Sequence, residues 1–354
     1  MRYNIDGRDI MKLLVLLLSF FCLWGCSDIE FHHQEEQSEE IVPIMQNDDV
    51  TIHFLATGNS DAMIIEGEKT VVMDGGHQDD AMYIVAYLKA LGIQKIDYLI
   101  NTHPDRDHIG GLDEVINHFD IGTCLISNAK KDSEDYADFL KALEENQIQP
   151  IQPKEASQYE IGKHASMTFY NTNTISTDVN ERSLVTLLQV NDKKVLFTGD
   201  ITAEIERQIK DQIGDIDVLK VAHHGSKYSS TAVFLYVLQP EHAIICTGEN
   251  AYGHPAQGVL NRLERVGAQI HRSDEVGNII VTINDNIDIH YSQPTQTLIN
   301  EDVETTYVGN LNSKKFHYAS CDSVNDMKEH NKYFEDNRSK LIDQGFKPCK
   351  RCHP

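Results

Sequence analysis

The sequence predicts an α/β fold of packed sheets and helices, followed by a small α+β module at the carboxyl end. Several apolar runs of strand length end directly in groups of Asp, His and Gly residues. Residues 79–91 instead show the 3.6-residue apolar period of a helix. A polar stretch that includes Pro294 then follows, so we expect two folded units of very unequal size.

The elements of the large unit follow from these patterns in order along the chain. Strands are expected at about residues 51–56, 62–66 and 70–73, ahead of the helix near residues 79–91. Alternating strands and helices continue from residue 97 to residue 292, and one helix after residue 200 carries isoleucines at a spacing of four.

The most informative segment is residues 102–111, which follows a strand-like apolar run. Its candidate metal ligands are His103, Asp105, Asp107 and His108. Two imidazoles and two carboxylates converge in one loop only if a cation offsets the repulsion of the acids, and the following glycines let the backbone turn tightly. The segment therefore predicts a metal site, with a solvated polar turn as the alternative.

Other polar groups stand at the ends of later and earlier apolar runs. They are Asp74 after residues 70–73, Asp200 after 194–197, His223 and His224 after 217–222, and His254 after 242–246. A single residue of this kind is usually a turn or core residue. Their repetition indicates that all of them meet along one edge of the packed sheets.

The loop at residues 103–108 resembles the His-x-His-x-Asp-His signature of the metallo-β-lactamase fold. The order of the other segments is similar to the ComEC/Rec2 competence-protein branch, over roughly residues 50–292. The resemblance implies a four-layer αββα sandwich with a metal site, usually binuclear, that serves mostly for hydrolysis. Residues expected to support the site are Asp61, Asp74, Lys220 and Ser226.

The chain departs from the family pattern at two positions. Asp105 replaces the second histidine of the signature, and residues 178–183 offer no counterpart to a separate histidine that many members carry. We interpret His118 and His164, the only histidines between the signature and Asp200, as structural or surface residues. A site richer in oxygen shifts the preference from Zn²⁺ toward harder ions, so we expect one or two Zn²⁺ or Mn²⁺ ions, with Mg²⁺ as a further option.

The expected catalytic residues are Asp107, Asp200 and His254. Asp200 is the predicted bridging ligand, and His254 is either the last ligand or a general acid for the leaving group. Asp107 and His108 would bind one ion together with a later histidine. His103 and Asp105 would bind the other ion, and the sequence does not choose between His223 and His224.

The carboxyl-terminal segment predicts a second, structural zinc site. Its candidate ligands are His317, Cys321, Cys349 and Cys352, in two close pairs. Disulfides in an exported chain are the alternative, but three thiols would leave one unpaired. The segment resembles the metal-binding domain of the Ada DNA-repair protein, with His317 in place of its methyl-accepting cysteine, so methyl transfer is not implied.

The amino end predicts export. An apolar run over residues 13–23 has the length of a signal-peptide core and ends in a sequence that resembles a bacterial lipobox at Cys26. We expect a lipidated Cys26 as the membrane anchor, with the start of translation open between Met1 and Met11. The remaining cysteines of the main unit, Cys124 and Cys246, fit buried hydrophobic positions.

These predictions divide the chain into five segments. They are a signal peptide (1–26), an acidic tether (27–49), a hydrolase domain (50–292), a linker (293–305) and an Ada-like zinc-binding domain (306–354). The chain carries a net charge of −24, and only the tail has a basic excess. DNA is therefore expected to be attracted by the tail and the metal site rather than by the body.

The leading functional hypothesis is an exported, membrane-anchored phosphodiesterase, most simply a nuclease, with a zinc module that helps to bind DNA. The alternatives are hydrolysis of a lactone, a β-lactam or a cell-wall phosphodiester, and a non-catalytic surface protein that binds DNA. Ligands spread over five loops favour catalysis, because a structural site is closed by four protein ligands.

Overall fold

The computed structural model describes residues 49–293, 307–318, 321–325, 327–335 and 338–349. The strands of the main domain are β1 (Val50–Phe54), β2 (Met63–Glu66), β3 (Val71–Met73), β4 (Lys95–Asn101), β5 (Asp120–Ile126), β6 (Gln158–Gly162), β7 (Ala165–Tyr170), β8 (Val185–Val190), β9 (Lys193–Phe197), β10 (Val218–Lys220), β11 (His242–Ile245), β12 (Gln269–Arg272), β13 (Asn278–Ile283) and β14 (Ile287–Ser292). Its helices are α1 (Ala81–Ala90), α2 (Arg106–Ile109), α3 (Leu112–His118), α4 (Glu134–Glu145), α5 (Ala203–Ile213), α6 (Ala232–Leu238), α7 (Gln257–Arg265) and α8 (Ser273–Val276).

The main domain contains two seven-stranded sheets. One has the order β14-β13-β1-β2-β3-β4-β5, and the other has the order β12-β11-β10-β9-β8-β7-β6. Apolar side chains from both sheets form the central core, where Phe54 of β1 stacks on Phe197 of β9 with ring centroids 5.9 Å apart. Because the sequence alternates apolar runs with amphipathic helices, each sheet buries both of its faces.

Helices cover the outer face of each sheet. A cluster that includes Ile84, Leu88 and Val115 joins α1 and α3 to the first sheet. A second cluster, which includes Ile205 and Leu263, joins α5 and α7 to the other sheet. The layers are therefore helix, sheet, sheet, helix, and the predicted αββα sandwich is confirmed.

Parallel strand pairs determine where the polar loops lie. The pairs β3–β4, β9–β10 and β10–β11 are all parallel, so their carboxyl ends reach the same edge of their sheet. Asp74 follows β3, Asp200 follows β9, and the signature loop follows β4. The expectation that polar groups after these strands meet along one edge is thereby given a structural basis.

The carboxyl-terminal module has a small sheet of its own. Its strands are β15 (Tyr307–Asn310), β16 (Lys315–Tyr318), β17 (Lys332–Glu335) and β18 (Lys347–Pro348), in the order β17-β15-β16-β18. Two short helices, α9 (Asp322–Asn325) and α10 (Arg338–Asp343), complete it. The predicted signal peptide, Cys26, most of the tether, nearly all of the linker and Cys352 lie outside the described residues.

Within the described ranges, every helix is too short or too polar to cross a bilayer. Cys124 and Cys246 are both fully buried, as predicted for hydrophobic positions. His118 and His164 lie on the surface.

A partly buried acid in α3 leads to a prediction of pH-dependent stability. Burial, and then the neighbouring Glu114, raise the pKa of Asp113 from 3.8 to about 7. Folding therefore favours the neutral acid, and stability is lost as pH rises from the unfolded value of 3.8 toward 7. The difference corresponds to about 4 kcal/mol at most.

We expect Asp113→Asn to stabilise the protein by about 1–3 kcal/mol at pH 8, because the amide removes the cost of ionisation. The gain should be smaller at pH 5.5, and urea unfolding at the two pH values measures it. An equal gain at both values would contradict the assignment.

Candidate metal centre

The candidate metal centre is built at the ends of five strands. The signature loop after β4 leads into α2, whose first turn carries Asp107 and His108. Gly110 and Gly111 let this turn approach the segment after β3, where a Cβ on Gly111 would lie only 2.5 Å from the Gly75 carbonyl oxygen. Any larger residue would push the two loops apart.

Three buried histidines each have a hydrogen-bond acceptor beside the Nδ1 atom, and this acceptor fixes the tautomer of the ring. His108 Nδ1 donates to Asp74 Oδ2 at 2.8 Å, and His224 Nδ1 donates to the Cys246 carbonyl at 2.9 Å. His103 Nδ1 lies 3.1 Å from the Thr102 hydroxyl, which itself donates to Asp74. When such a ring is neutral, its remaining Nε2 atom carries a lone pair, which is the arrangement that metal-binding histidines adopt.

The Nε2 atoms point toward Asp200. His108 Nε2 lies 3.3 Å from Asp200 Oδ1, and His224 Nε2 lies 3.7 Å from Asp200 Oδ2. Among the described residues, these two nitrogens, the Nε2 of His103 and Asp200 Oδ1 are buried and lack a hydrogen bond of acceptable geometry. Buried polar atoms without partners are costly, and a divalent cation would satisfy all four. The residues therefore fit the metal that the fold family implies.

Donor atoms gather in two groups that share His108. One group contains His103, His108 and Asp200, and the other contains Asp107, His108 and His224, with donor atoms in each group within 4.8 Å of one another. The two groups would hold one or two ions, with Asp200 close to both.

Asp105 lies at the margin of the centre. Its Oδ2 is 4.0 Å from His103 Nε2, while its Oδ1 forms an ion pair with Lys131 at 2.7 Å. The described structure places Asp105 in neither ligand group. The position that holds a histidine in the family signature is here a carboxylate already paired with a lysine.

His223 and His224 both face the centre. His223 Nε2 lies 3.6 Å from Asp200 Oδ2, and His224 is fully enclosed beside Asp107 at 3.5 Å. Both residues adopt left-handed backbone conformations, with φ of 52°. This turn directs both rings toward Asp200, and His224 is the one of the two that belongs to a ligand group among the described residues.

A buried ion pair supports the floor of the centre. The Lys220 ammonium contacts Asp61 Oδ2, and both side chains are completely buried. Asp61, Asp74 and His108 also form a compact group of potential ligands. Lys220 and the His108 Nδ1–H already balance these two acids, so we assign them to support rather than to metal binding.

The charges of the centre are strongly coupled. Burial lowers the pKa of His108, but Asp200 and Asp74 outweigh it and raise the pKa well above 6.5. Burial likewise raises the pKa of Asp200, but His108 and His224 hold it well below 3.8. The acids thus create a field that favours a cation at this place.

Burial, and then the charge of His108, lower the pKa of His103 to about 3, so that its ring stays neutral. Burial, and then His223 and His224, lower the pKa of His254 to about 4. A neutral imidazole binds a metal or accepts a proton. The His254 ring lies 5.4 Å from that of His223 at the solvent side of the centre.

Ser226 is buried, and its Oγ lies 3.5 Å from the Tyr228 amide.

Three supporting residues escaped the sequence interpretation. The Thr102 hydroxyl connects Asp74 to His103 through hydrogen bonds. The Ser183 hydroxyl accepts a hydrogen bond from the Asp200 backbone amide at 3.1 Å, and Lys131 forms an ion pair with Asp105. Thr102 precedes the signature directly, so its position was a usable signal. Ser183 and Lys131 are distant in sequence from their partners, and no local pattern marks them.

The fold and the site together define a metal-dependent hydrolase, and the chain belongs to the metallo-β-lactamase superfamily, whose sequence pattern matches residues 55–249. Among similar proteins, ComE operon protein 3 of Bacillus subtilis is 32% identical over 202 residues, which cover 55% of this chain and 26% of that protein. Recombination protein 2 of Haemophilus influenzae is 28% identical over 226 residues, covering 62% and 27%.

The chain thus spans about a quarter of the length of these curated relatives. Among solved structures, the metallo-beta-lactamase fold protein YhfI from Bacillus subtilis aligns with 67% of this chain and 100% of that chain, at 11% identity and a TM-score of 0.44. The predicted resemblance to the competence-protein branch is confirmed for the main domain. The Ada-like assignment of the tail stays a prediction.

Proposed function

We propose that this protein is a metal-dependent phosphodiesterase that cleaves DNA. The observation that carries the proposal is the set of buried, unpartnered donor atoms on His103, His108, His224 and Asp200. They belong to three separate loops, and His223 and His254 at their margin are partly exposed. The name of one relative, Recombination protein 2, supports this choice of substrate, since recombination acts on DNA.

Each residue has a role that follows from its contacts. His103, His108, His224, Asp107 and Asp200 would hold one or two divalent ions. When bound, such ions lower the pKa of water and polarise the phosphoryl oxygen under attack. The hydrogen bonds to Asp74, Thr102 and the Cys246 carbonyl fix the ligand rings before substrate arrives.

His254 is the residue that we propose for proton transfer. Its side chain is half-buried beside His223, and its neutral ring can accept a proton near pH 7. In the proposed reaction it would bind an ion, or take a proton from the attacking water and pass it to the leaving alkoxide.

The proposal is tested by incubating the purified protein with single-stranded and double-stranded DNA in the presence of Mn²⁺, Mg²⁺ or Zn²⁺ in turn. We expect cleavage with at least one ion and loss of cleavage on chelation, restored by that ion. His118→Ala, a change at a surface histidine, is the matched control and should cleave as the wild type does. Intact DNA under all three ions would contradict the proposal.

We also propose that the tail is a zinc module that helps to bind DNA. His317, Cys321 and Cys349 place their donor atoms within 4.8 Å of one another, and all three residues are buried. Cys321 Sγ lies 3.5 Å from His317 Nδ1. Cys352, the fourth predicted ligand, lies outside the described residues.

We expect Cys349→Ser to release zinc and unfold the tail, because metal binding supplies on the order of 10 kcal/mol in comparable zinc peptides. Affinity for DNA should fall and depend less on salt, while a small phosphodiester is still hydrolysed. His317→Cys is the conservative control and should keep the zinc. Zinc content and DNA binding at several salt concentrations measure both variants, and unchanged binding after demonstrated zinc loss would assign the tail to another role.

The site of action belongs to the same proposal. We place the protein outside the cytoplasm, attached to the membrane through a lipid on Cys26, as the lipobox-like sequence predicts.

A further inference from the structure

A cavity of about 330 Å³ adjoins the candidate metal centre. Two of its lining residues, His223 and His254, also belong to the centre, and Lys227, Tyr228 and Tyr252 line the cavity beside them. Its volume lies within the ~300–1,000 Å³ typical of small-molecule sites. Whatever fills it therefore lies next to the reacting atoms.

Two tyrosines of this cavity are unusually exposed. Tyr228 is 65% exposed and Tyr252 is 78% exposed. The Tyr252 ring stacks on His254 with centroids 5.6 Å apart and 29° between planes, so one face is supported and much of the ring remains open. Two open aromatic rings beside an active centre form a surface on which a planar group can stack.

Lys227 adds a positive charge to this surface. Its Nζ lies 5.0 Å from the centroid of the Tyr228 ring, and it forms no ion pair with any described residue. The chain as a whole carries a net charge of −24, so an unpaired lysine beside the centre attracts an anion to this particular place. The cavity thus combines aromatic rings with one cation.

We propose that Tyr228 and Tyr252 bind an unpaired nucleobase next to the scissile phosphodiester, and that Lys227 contacts the adjoining phosphate. Aromatic rings with a basic side chain are how proteins bind single-stranded nucleic acid, because every base has a π-face and duplex DNA keeps its bases stacked inside. The inference rests on the proposed function and specifies its substrate as a single strand or a frayed end.

The test compares a single-stranded oligonucleotide with the same oligonucleotide carrying abasic sites around the cleaved bond. In Tyr228→Ala and Tyr252→Ala, KM for the normal strand should rise by about 5- to 100-fold with kcat little changed, as loss of one stacked base implies. Both variants should also lose the preference of the wild type for strands with bases. Tyr228→Phe and Tyr252→Phe keep the ring and should behave as the wild type.

Tyr236→Ala is the matched control, since Tyr236 is 74% exposed on α6 and does not line the cavity. If the cavity variants resemble this control on both substrates, the base-binding role is overturned although the nuclease stands.

A second readout needs no turnover. The holoprotein is mixed with an uncleavable phosphorothioate strand that carries 2-aminopurine, whose fluorescence is quenched by stacking. Quenching that both alanine changes abolish would support the base site even if no DNA is cleaved, in which case the proposed function alone fails. Absence of quenching with the wild type would overturn the inference.

Discussion

Asp200→Asn should abolish hydrolysis, with kcat lowered by about a thousandfold or more, because several kcal/mol of transition-state stabilisation depend on the bound ions. The Asp200 carboxylate lies within 4 Å of the Nε2 atoms of His108, His223 and His224, so it is close to three of the candidate ligand rings. An amide has the same shape but lacks the charge that holds a divalent ion. The measurement is kcat together with metal content.

Folding should be nearly unaffected by this change. The Ser183 hydroxyl accepts the backbone amide of Asp200, and that bond persists in the variant. Asp192→Asn, the same chemical change at an exposed carboxylate, is the control for the substitution itself. If Asp200→Asn still turned over substrate with its metal shown to be absent, the assigned mechanism would be wrong.

The largest loss of stability is expected for Lys220→Met. The change removes the only ammonium in contact with Asp61 among the described residues, and it leaves a completely buried carboxylate without its lysine partner. Breaking a buried pair in this way costs about 3–5 kcal/mol. For a domain of this size the midpoint of thermal unfolding should fall by roughly 6–20 °C.

The double variant Asp61→Asn/Lys220→Met should recover part of this loss, because no unpaired charge is then buried. Lys141→Met removes an exposed pair with Glu145 and should cost at most about 1 kcal/mol. Thermal unfolding of the four proteins compares them directly. A double variant less stable than Lys220→Met would show that Asp61 has another essential partner.

Much of the centre could be predicted from the sequence because its information is local. Short apolar runs followed by Asp or His identify the strand ends, and parallel strands of one sheet bring such ends to one edge. The spacing within residues 103–108 then indicates a metal loop, since few other functions need two imidazoles and two acids so close together. The set of residues around Asp200 follows from these features, whereas the αββα sandwich was implied by the resemblance of the loop to the family signature.

Contacts between distant residues required the tertiary structure. No local sequence pattern predicts the ion pairs of Lys131 with Asp105 and of Lys220 with Asp61. The same is true of the arrangement of Tyr228 and Tyr252 around one cavity. Each depends on how loops from different strands approach one another.

The sequence by itself therefore determined the kind of site, because residue type and spacing limit which ions and reactions a loop can serve. Only the tertiary structure decided which atom of each ligand faces the ion. For His108 and His224, that choice is made by Asp74 and the Cys246 carbonyl, 34 and 22 residues away in the chain. A ring nitrogen becomes a ligand when folding supplies an acceptor for the other nitrogen, and this acceptor comes from elsewhere in the fold.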